Sequence, residues 1–301
     1  MFSIVDWMDY QESFYNYLKY EKRFSSHTVI AYRNDLHQFI EFHIGLKGKF
    51  DPVSIGSKNI RDWVVKLMDE KLLPRSVHRK VTTLKAFFKF LMKEQVVESN
   101  PVMNMPLPRI RKKLPVFVEE ASLNHLLDDG MFKNDFSGIR DKLVISLLYG
   151  TGIRLSELTG LKEEDINSRE GQIKVLGKRN KERIVPFPQS LNPLISEYRD
   201  LKAEQFGISG GTLLVTDKGM PVYPRMVYRI VRNYLSLVTS VEKRSPHIIR
   251  HSYATHLLNK GADLNAVKEL LGHSNLAATQ IYTHTIFERL QTIYKQAHPR
   301  G

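Results

Sequence analysis

The 301-residue sequence contains no cysteine. Disulfide bonds, cysteine-ligated zinc, iron–sulfur clusters and thiol nucleophiles are therefore excluded, so any chemistry must use oxygen or nitrogen groups. Apolar runs are short, such as residues 143–149, whereas a membrane-spanning helix needs about 20 consecutive apolar residues. Residues 1–10 also lack the basic and apolar regions of a secretory signal. We therefore expect a cytoplasmic protein that does not span a membrane.

The sequence also lacks the motifs of several common enzyme classes. It has no G-x-x-x-x-G-K-[ST] phosphate loop, no G-x-G-x-x-G after a strand, no G-x-S-x-G and no H-E-x-x-H. Nucleotide-driven motors and Rossmann dehydrogenases are therefore excluded. His247 and His251 lie one helical turn apart, but no carboxylate accompanies them and the intervening Arg250 would repel a cation. We predict neither a metal site nor a cofactor.

Acidic residues are few relative to basic ones. The chain has 45 Lys and Arg against 32 Asp and Glu, a net charge of +13, and both residues 1–107 and residues 108–301 are positive. Such an excess is typical of proteins whose partner is rich in phosphate, with nucleic acid the leading candidate. Composition alone leaves open a basic protein without such a partner. The hydrophobic content of 42% is that of a folded globular protein.

A proline-rich basic segment predicts a boundary between two domains. Prolines at positions 101, 106, 108 and 115 interrupt any helix. We therefore predict an N-terminal domain at 1–107, a basic linker at 108–115 and a second domain at 116–301. The basic residues of the linker indicate either a phosphate clamp or a solvated loop, and the position between two basic domains favours the clamp.

Helical spacing of apolar residues predicts four helices in the N-terminal domain, around residues 5–18, 29–40, 60–68 and 77–91. Residues 71–93 contain seven basic and no acidic side chains. A solvated helix face usually carries both acidic and basic side chains, so a face with basic side chains alone favours contact with DNA. The candidate DNA contacts, including those of the linker, are Arg75, Arg79, Lys80, Arg109, Arg111 and Lys112.

The second domain is predicted to be mainly helical with a small sheet. Residues 172–176 and 183–187 alternate and are rich in β-branched residues, and residues 177–182 between them form a turn. Helical patterns surround this hairpin, at 136–149, 154–161, 191–206, 225–238, 246–259, 264–271 and 286–296.

Two short motifs in this domain could bind an anion. Ser245-Pro246-His247 opens a helix with an N-cap residue and proline, and Arg250 follows His247 by three positions on the same face. Helix N-terminal N–H groups attract phosphate. Alone, this motif is more typical of a capped surface helix. A glycine-rich turn also places Arg154 at a helix entrance, where Glu157 could orient it.

Further residues extend this set along the chain. Lys178 lies in the hairpin turn, His273 follows a helix-ending glycine, and Tyr282 comes nine residues later. With these residues in this order, the sequence resembles the tyrosine site-specific recombinases of the phage-integrase family, most closely the bacterial Xer recombinases. The matching functional positions are Arg154, Lys178, His247, Arg250, His273 and Tyr282.

The resemblance implies a four-helix, SAM-like core-binding domain and an α+β catalytic domain that form a C-shaped clamp on duplex DNA. It implies that Tyr282 attacks DNA to form a 3′-phosphotyrosyl intermediate and that Lys178 protonates the departing 5′ oxygen, without metal or ATP. Arg179 stands where Xer sequences usually have glycine. Lys181 is therefore an alternative general acid.

The resemblance also implies partners and a cellular role. It implies a homo- or hetero-tetramer on two paired sites, the second subunit type being a paralogous Xer recombinase, and activation by a septal DNA translocase. The expected role is resolution of chromosome dimers at a dif-like site through a Holliday junction, by a nucleoid-associated protein. The alternatives are a phage or mobile-element integrase of the same family and a catalytically silent DNA-binding accessory protein.

Overall fold

The computed structural model describes residues 7–110, 116–128, 130–177 and 182–272. The chain divides into two compact units, Met1–Lys113 and Leu114–Gly301. Finer assignment of residues 108–115 as a linker stays a prediction. No helix in the described ranges is long and apolar enough to cross a membrane.

Within residues 7–110, the N-terminal unit contains four α-helices, as the apolar spacing predicted. These are α1 (Trp7–Asn16, continued by a π-helical turn at Tyr17–Glu21), α2 (Ser26–Lys47), α3 (Ser57–Asp69) and α4 (Pro74–Lys93). Ser25 is the N-cap of α2 and accepts the Thr28 N–H at 3.3 Å, which satisfies a donor that helix geometry leaves free. The apolar faces of the four helices meet around Phe39, Trp63 and Phe88, all nearly inaccessible to solvent.

The second unit surrounds a small sheet with helices. The α-helices in the part of this unit that the structure describes are α5 (Glu120–Leu127), α6 (Phe136–Thr151), α7 (Leu155–Thr159), α8 (Asn192–Phe206), α9 (Pro224–Val238), α10 (Pro246–Asn259) and α11 (Leu264–Leu271). The antiparallel sheet has the order β1 (Ile166–Asn167), β2 (Gln172–Leu176) and β3 (Glu182–Pro186). Helix α6 is buried on nearly every face, without a break from Leu143 to Thr151, and lies at the centre of this unit's core. The mainly helical fold with a small sheet is thus confirmed.

Candidate active site

A glycine turn places the first candidate residue, Arg154. Helix α6 ends at Gly152, which has φ +62°. A Cβ atom at this position would lie 2.4 Å from Cδ1 of Tyr253 and 2.9 Å from Cδ2 of Leu271. Only glycine combines this left-handed backbone with so close an approach. The chain therefore turns tightly from α6 into α7, with Arg154 between the two helices.

Arg154 is held by the carboxylate of Glu157. Glu157 accepts the Arg154 backbone N–H at 2.7 Å and the Arg154 Nη1 donor at 2.9 Å. Its side chain is 2% exposed, and burial alone would raise the carboxyl pKa. Hydrogen bonds from Arg183 and from the Arg154 backbone overcome that effect and lower the pKa to about 2. Glu157 is therefore a fixed anion at neutral pH, beside a guanidinium that it can orient.

Arg250 approaches the same place from α10. Its guanidinium is buried and donates to the carbonyls of Gly152, at 2.6 Å, and of Leu271. Arg154 donates through Nη2 to the next carbonyl, that of Gly272, at 2.6 Å. Burial, followed by repulsion from Arg154, lowers the pKa of Arg250 to about 10. Arg250 is therefore still charged at neutral pH, and two arginines that are far apart in the sequence meet at the end of α11.

The helix start that contains His247 forms where the sequence indicated. Ser245 is the N-cap of α10 and Pro246 its first residue, although the Ser245 side chain makes no capping hydrogen bond. His247 is exposed one helical turn before the buried Arg250. Its ring is thus open to solvent on the helix that carries Arg250.

Arg183 belongs to this cluster although the sequence reasoning missed it. It lies on β3 opposite Val175, and its side chain is 8% exposed. It donates to both oxygens of Glu157, at 2.6 and 2.9 Å. The available signal was strand alternation, since Arg183 shares a face with the buried Val185 and an inward-facing arginine needs a partner.

The cluster carries more positive than negative charge. Three guanidiniums, those of Arg154, Arg183 and Arg250, surround the single carboxylate of Glu157. Guanidinium groups present several N–H donors in a planar fork that matches phosphate oxygens. The arrangement is therefore suited to binding an anion and to stabilising charge that develops on it.

The other three predicted catalytic residues, Lys178, His273 and Tyr282, lie outside the described residues, as do Arg179 and Lys181. Their roles stay predictions. Among the described residues, no group of three or more histidine and acidic side chains could hold a metal ion.

The predicted DNA contacts of α4 divide into exposed and buried residues. Arg75 is exposed, and Arg79, with 47% of its side chain exposed, pairs with Asp35 of α2. Lys80 is buried, 3.1 Å from a carboxylate oxygen of Asp35, and also donates to Gln38. Burial of Lys80 removes it from the set of side chains that could contact a phosphate, because its ammonium is already paired inside the domain.

The linker candidates are described only in part. Arg109 is exposed. Arg111 and Lys112 lie outside the described residues.

A second basic surface on α9 was not predicted. Arg225, Arg229 and Arg232 recur at spacings of four and three, so they share one exposed face, and α9 contains no acidic residue. With Tyr228 and Arg244 they line a cavity of about 860 Å³. The spacing of these arginines was the available signal for what we call the α9 arginine surface.

Comparison with known proteins identifies the family. The sequence profile of the phage integrase family matches residues 117–289, and that of its N-terminal SAM-like domain matches residues 12–95. The chain belongs to the phage integrase family. It is therefore a tyrosine recombinase, an enzyme that cleaves and rejoins DNA strands.

Similar proteins cover nearly all of the chain. The tyrosine recombinase XerC of Chlorobaculum tepidum is 37% identical over 95% of this chain and 93% of the relative, and that of Staphylococcus carnosus is 38% identical over 97% of each. The fold resembles the crystal structure of the XerH site-specific recombinase bound to a palindromic difH substrate, with a TM-score of 0.70 at 22% identity over 94% of this chain and 93% of that one.

Proposed function

We propose that this recombinase cuts and rejoins DNA by transesterification through Tyr282. One observation carries the proposal: Arg154 and Arg250 converge on adjacent carbonyls, those of Leu271 and Gly272, just before the segment that contains Tyr282. Negative charge on the non-bridging oxygens of a phosphodiester increases when the reaction reaches its pentacovalent transition state. Preorganised guanidiniums stabilise that state more than the ground state, which is the condition for catalysis.

Each proposed catalytic group has a separate task. The phenol of Tyr282 passes its proton to His247 or His273 as its Oη attacks phosphorus and forms the 3′-phosphotyrosyl bond, while the bond from phosphorus to the 5′ oxygen breaks. Lys178 gives a proton to the departing 5′ oxygen. His247 and His273 donate or relay protons at the phosphate. Glu157 orients Arg154, as the 2.9 Å contact supports.

The reverse reaction completes strand exchange. The 5′ hydroxyl of the partner strand attacks the phosphotyrosine, and Tyr282 leaves. One phosphodiester replaces another through a covalent intermediate, so the reaction requires no ATP. The charge on the arginines takes the place that a metal ion would have as an electrostatic stabiliser. Cleavage should therefore persist in excess EDTA.

DNA contact is proposed for the exposed basic side chains of both units. In the N-terminal unit, the proposed DNA contacts are Arg75 and Arg109, together with Arg79, whose charge is partly neutralised by its ion pair with Asp35. In the catalytic unit, the proposed contacts are those of the α9 arginine surface. Arginine pairs well with phosphate oxygens and can also read guanine edges in the major groove.

The proposed cellular role is resolution of chromosome dimers at a dif-like site through a Holliday junction. Similarity to two proteins named tyrosine recombinase XerC supports this role, as does the fold shared with a recombinase solved on a difH substrate. We propose a homo- or hetero-tetramer on two paired sites, the latter with a paralogous recombinase, and activation by a septal DNA translocase. The protein would then act in the cytoplasm at the nucleoid.

Mapping covalent protein–DNA adducts across the host chromosome tests this role. Cells are lysed in denaturant, the adducts are captured through the protein, and the attached DNA is sequenced, with Tyr282→Phe as the background control. Adducts concentrated at one chromosomal site support dimer resolution. Adducts at the ends of a mobile element identify an integrase instead. Binding of the protein to chromosomal sites without any adduct identifies a silent accessory protein.

A further inference from the structure

Arg183 connects three parts of the candidate site. Its side chain leaves β3 five residues after Lys178 in the sequence and reaches α7, where it forms a two-point ion pair with Glu157 at 2.6 and 2.9 Å. Its Nε donates to the carbonyl of Leu270 in α11, at 3.3 Å. The hairpin strand, the Arg154 turn and the end of α11 therefore share one buried guanidinium.

Arg183 fixes the position of the Glu157 carboxylate, and that carboxylate in turn orients Arg154. The carboxylate lies between the two guanidiniums, with Oε1 2.6 Å from Nη1 of Arg183 and 2.9 Å from Nη1 of Arg154. The Arg183 side chain is 8% exposed, whereas that of Arg154 is 30% exposed and reaches towards solvent. A buried two-point ion pair restricts the carboxylate to one orientation. Arg154 thus meets an acceptor whose position Arg183 determines.

Three successive carbonyls at the end of α11 are held by the three arginines. Arg183 binds that of Leu270, Arg250 that of Leu271 and Arg154 that of Gly272. Gly272 has φ +63°, and a Cβ there would lie 3.1 Å from Cζ and Nε of Arg183. The backbone of Gly272 therefore packs against the Arg183 guanidinium. His273 is the next residue in the sequence.

We propose that Arg183 is a positioning residue of the strand-cleavage reaction, which acts on the phosphate through Glu157 and Arg154. It does not touch the substrate itself. The proposal rests on the transesterification proposed above. The alternative is a purely structural role, in which the ion pair between Arg183 and Glu157 only adds to the stability of the catalytic unit.

The conservative substitution Arg183→Lys tests the proposal in the full chain. Lysine keeps the charge but carries its donors on one nitrogen, so it cannot reproduce the planar fork in which Nη1 and Nη2 bind the two Glu157 oxygens while Nε binds Leu270. Arg140→Lys is the matched control, because Arg140 is also a buried arginine of this unit, paired with Asp141 at 2.8 Å and Asp217 at 2.7 Å. Both variants are compared with the wild type by circular dichroism, DNA affinity and single-turnover cleavage of a suicide substrate.

We expect Arg183→Lys to bind DNA within about twofold of the wild type and to cleave about 100-fold more slowly, the loss typical of a misplaced catalytic group. Arg140→Lys should cleave at close to the wild-type rate. Equal rates for Arg183→Lys and the wild type would overturn the proposal, and so would equal losses in both lysine variants. If Arg183→Lys does not fold, Glu157→Gln, which keeps the shape but not the charge, takes its place with the same expectation.

A modified substrate separates positioning from general stability. Replacing one non-bridging oxygen of the scissile phosphate by methyl removes the charge that Arg154 serves. The methylphosphonate stereoisomer that restores cleavage by Arg154→Ala should also restore cleavage by Arg183→Lys, since both variants lack the same interaction. Failure of that rescue in Arg183→Lys would contradict action through Arg154. If the wild type forms no adduct at all, the proposed function fails, whereas wild-type cleavage with an unaffected Arg183→Lys overturns the Arg183 proposal alone.

Discussion

The buried contact between Asp35 and Lys80 yields a prediction about both stability and DNA binding. Asp35 is 1% exposed and accepts from Lys80 Nζ at 3.1 Å, from Thr83 at 3.1 Å and from Arg79. Asp35→Ala leaves the Lys80 ammonium buried without a counter-charge, which costs about 3–5 kcal/mol. Asp35→Ala/Lys80→Met removes that charge as well, so the double variant should be more stable than Asp35→Ala alone.

Tryptophan fluorescence measures this effect in the full chain. The two tryptophans are Trp7 and Trp63, both in the N-terminal unit, and Trp63 is 1% exposed, so fluorescence reports unfolding of that unit alone. With a urea m-value of about 2 kcal/mol/M, the midpoint of Asp35→Ala should fall by about 2 M. Additive losses in the double variant would show that the two charges are not coupled and would refute the reasoning.

Two single substitutions on α4 test which basic residues contact DNA. Lys80→Met should leave the slope of log affinity against log salt unchanged, because a buried ammonium releases no DNA counterion. Arg75→Met should reduce that slope by about 1, the value for one lost phosphate contact. A reduced slope in Lys80→Met would mean that Lys80 turns outward to bind DNA.

Three further predictions concern the catalytic unit. Gly152→Ala should destabilise the catalytic unit by about 2–5 kcal/mol, because alanine disfavours the left-handed backbone and its Cβ would clash with Tyr253. Urea unfolding followed by circular dichroism measures this loss, and an unchanged midpoint would contradict the turn geometry. The Glu157 pKa is lowered from its usual 4.5 to about 2, so the stability that this carboxylate adds to the fold is complete above pH 4.5 and is lost as the pH falls towards 2. Glu157→Gln should therefore lose less stability between pH 4.5 and pH 2 than the wild type does. Equal stability profiles in acid would count against the ion pairs. Lys178→Ala should cleave normal DNA slowly yet regain much of its rate on a 5′-bridging phosphorothioate, whose thiolate leaves without a proton, whereas rescue of Lys181→Ala instead would make Lys181 the general acid.

Local patterns predicted most of the secondary structure. Apolar spacing indicated the four N-terminal helices, and alternation indicated the hairpin of β2 and β3. The prediction missed β1 and α5. Strand β1 has only two residues, which is too few for its alternation to be distinguished from an irregular segment.

Long-range pairing limited what the sequence could reveal about function. Lys80 looked like a DNA contact because residues 71–93 contain no acid, but its partner Asp35 comes from another helix. Arg183 looked like part of an ordinary strand, and only the fold brings Glu157 to it. The sequence showed which charges exist, whereas three-dimensional packing decides which of them are neutralised and which remain to bind phosphate.

Identification of the residue that becomes linked to DNA tests the central claim most directly. A suicide substrate carrying the recombination site is incubated with the full chain in excess EDTA, the adduct is digested, and the modified peptide is sequenced by mass spectrometry. We predict a phosphotyrosyl bond at Tyr282 to the 3′ side of the cut, and a Tyr282→Phe variant that binds the same DNA without forming an adduct. An adduct at another residue, a normal adduct yield in Tyr282→Phe, or cleavage that requires added magnesium would contradict the account.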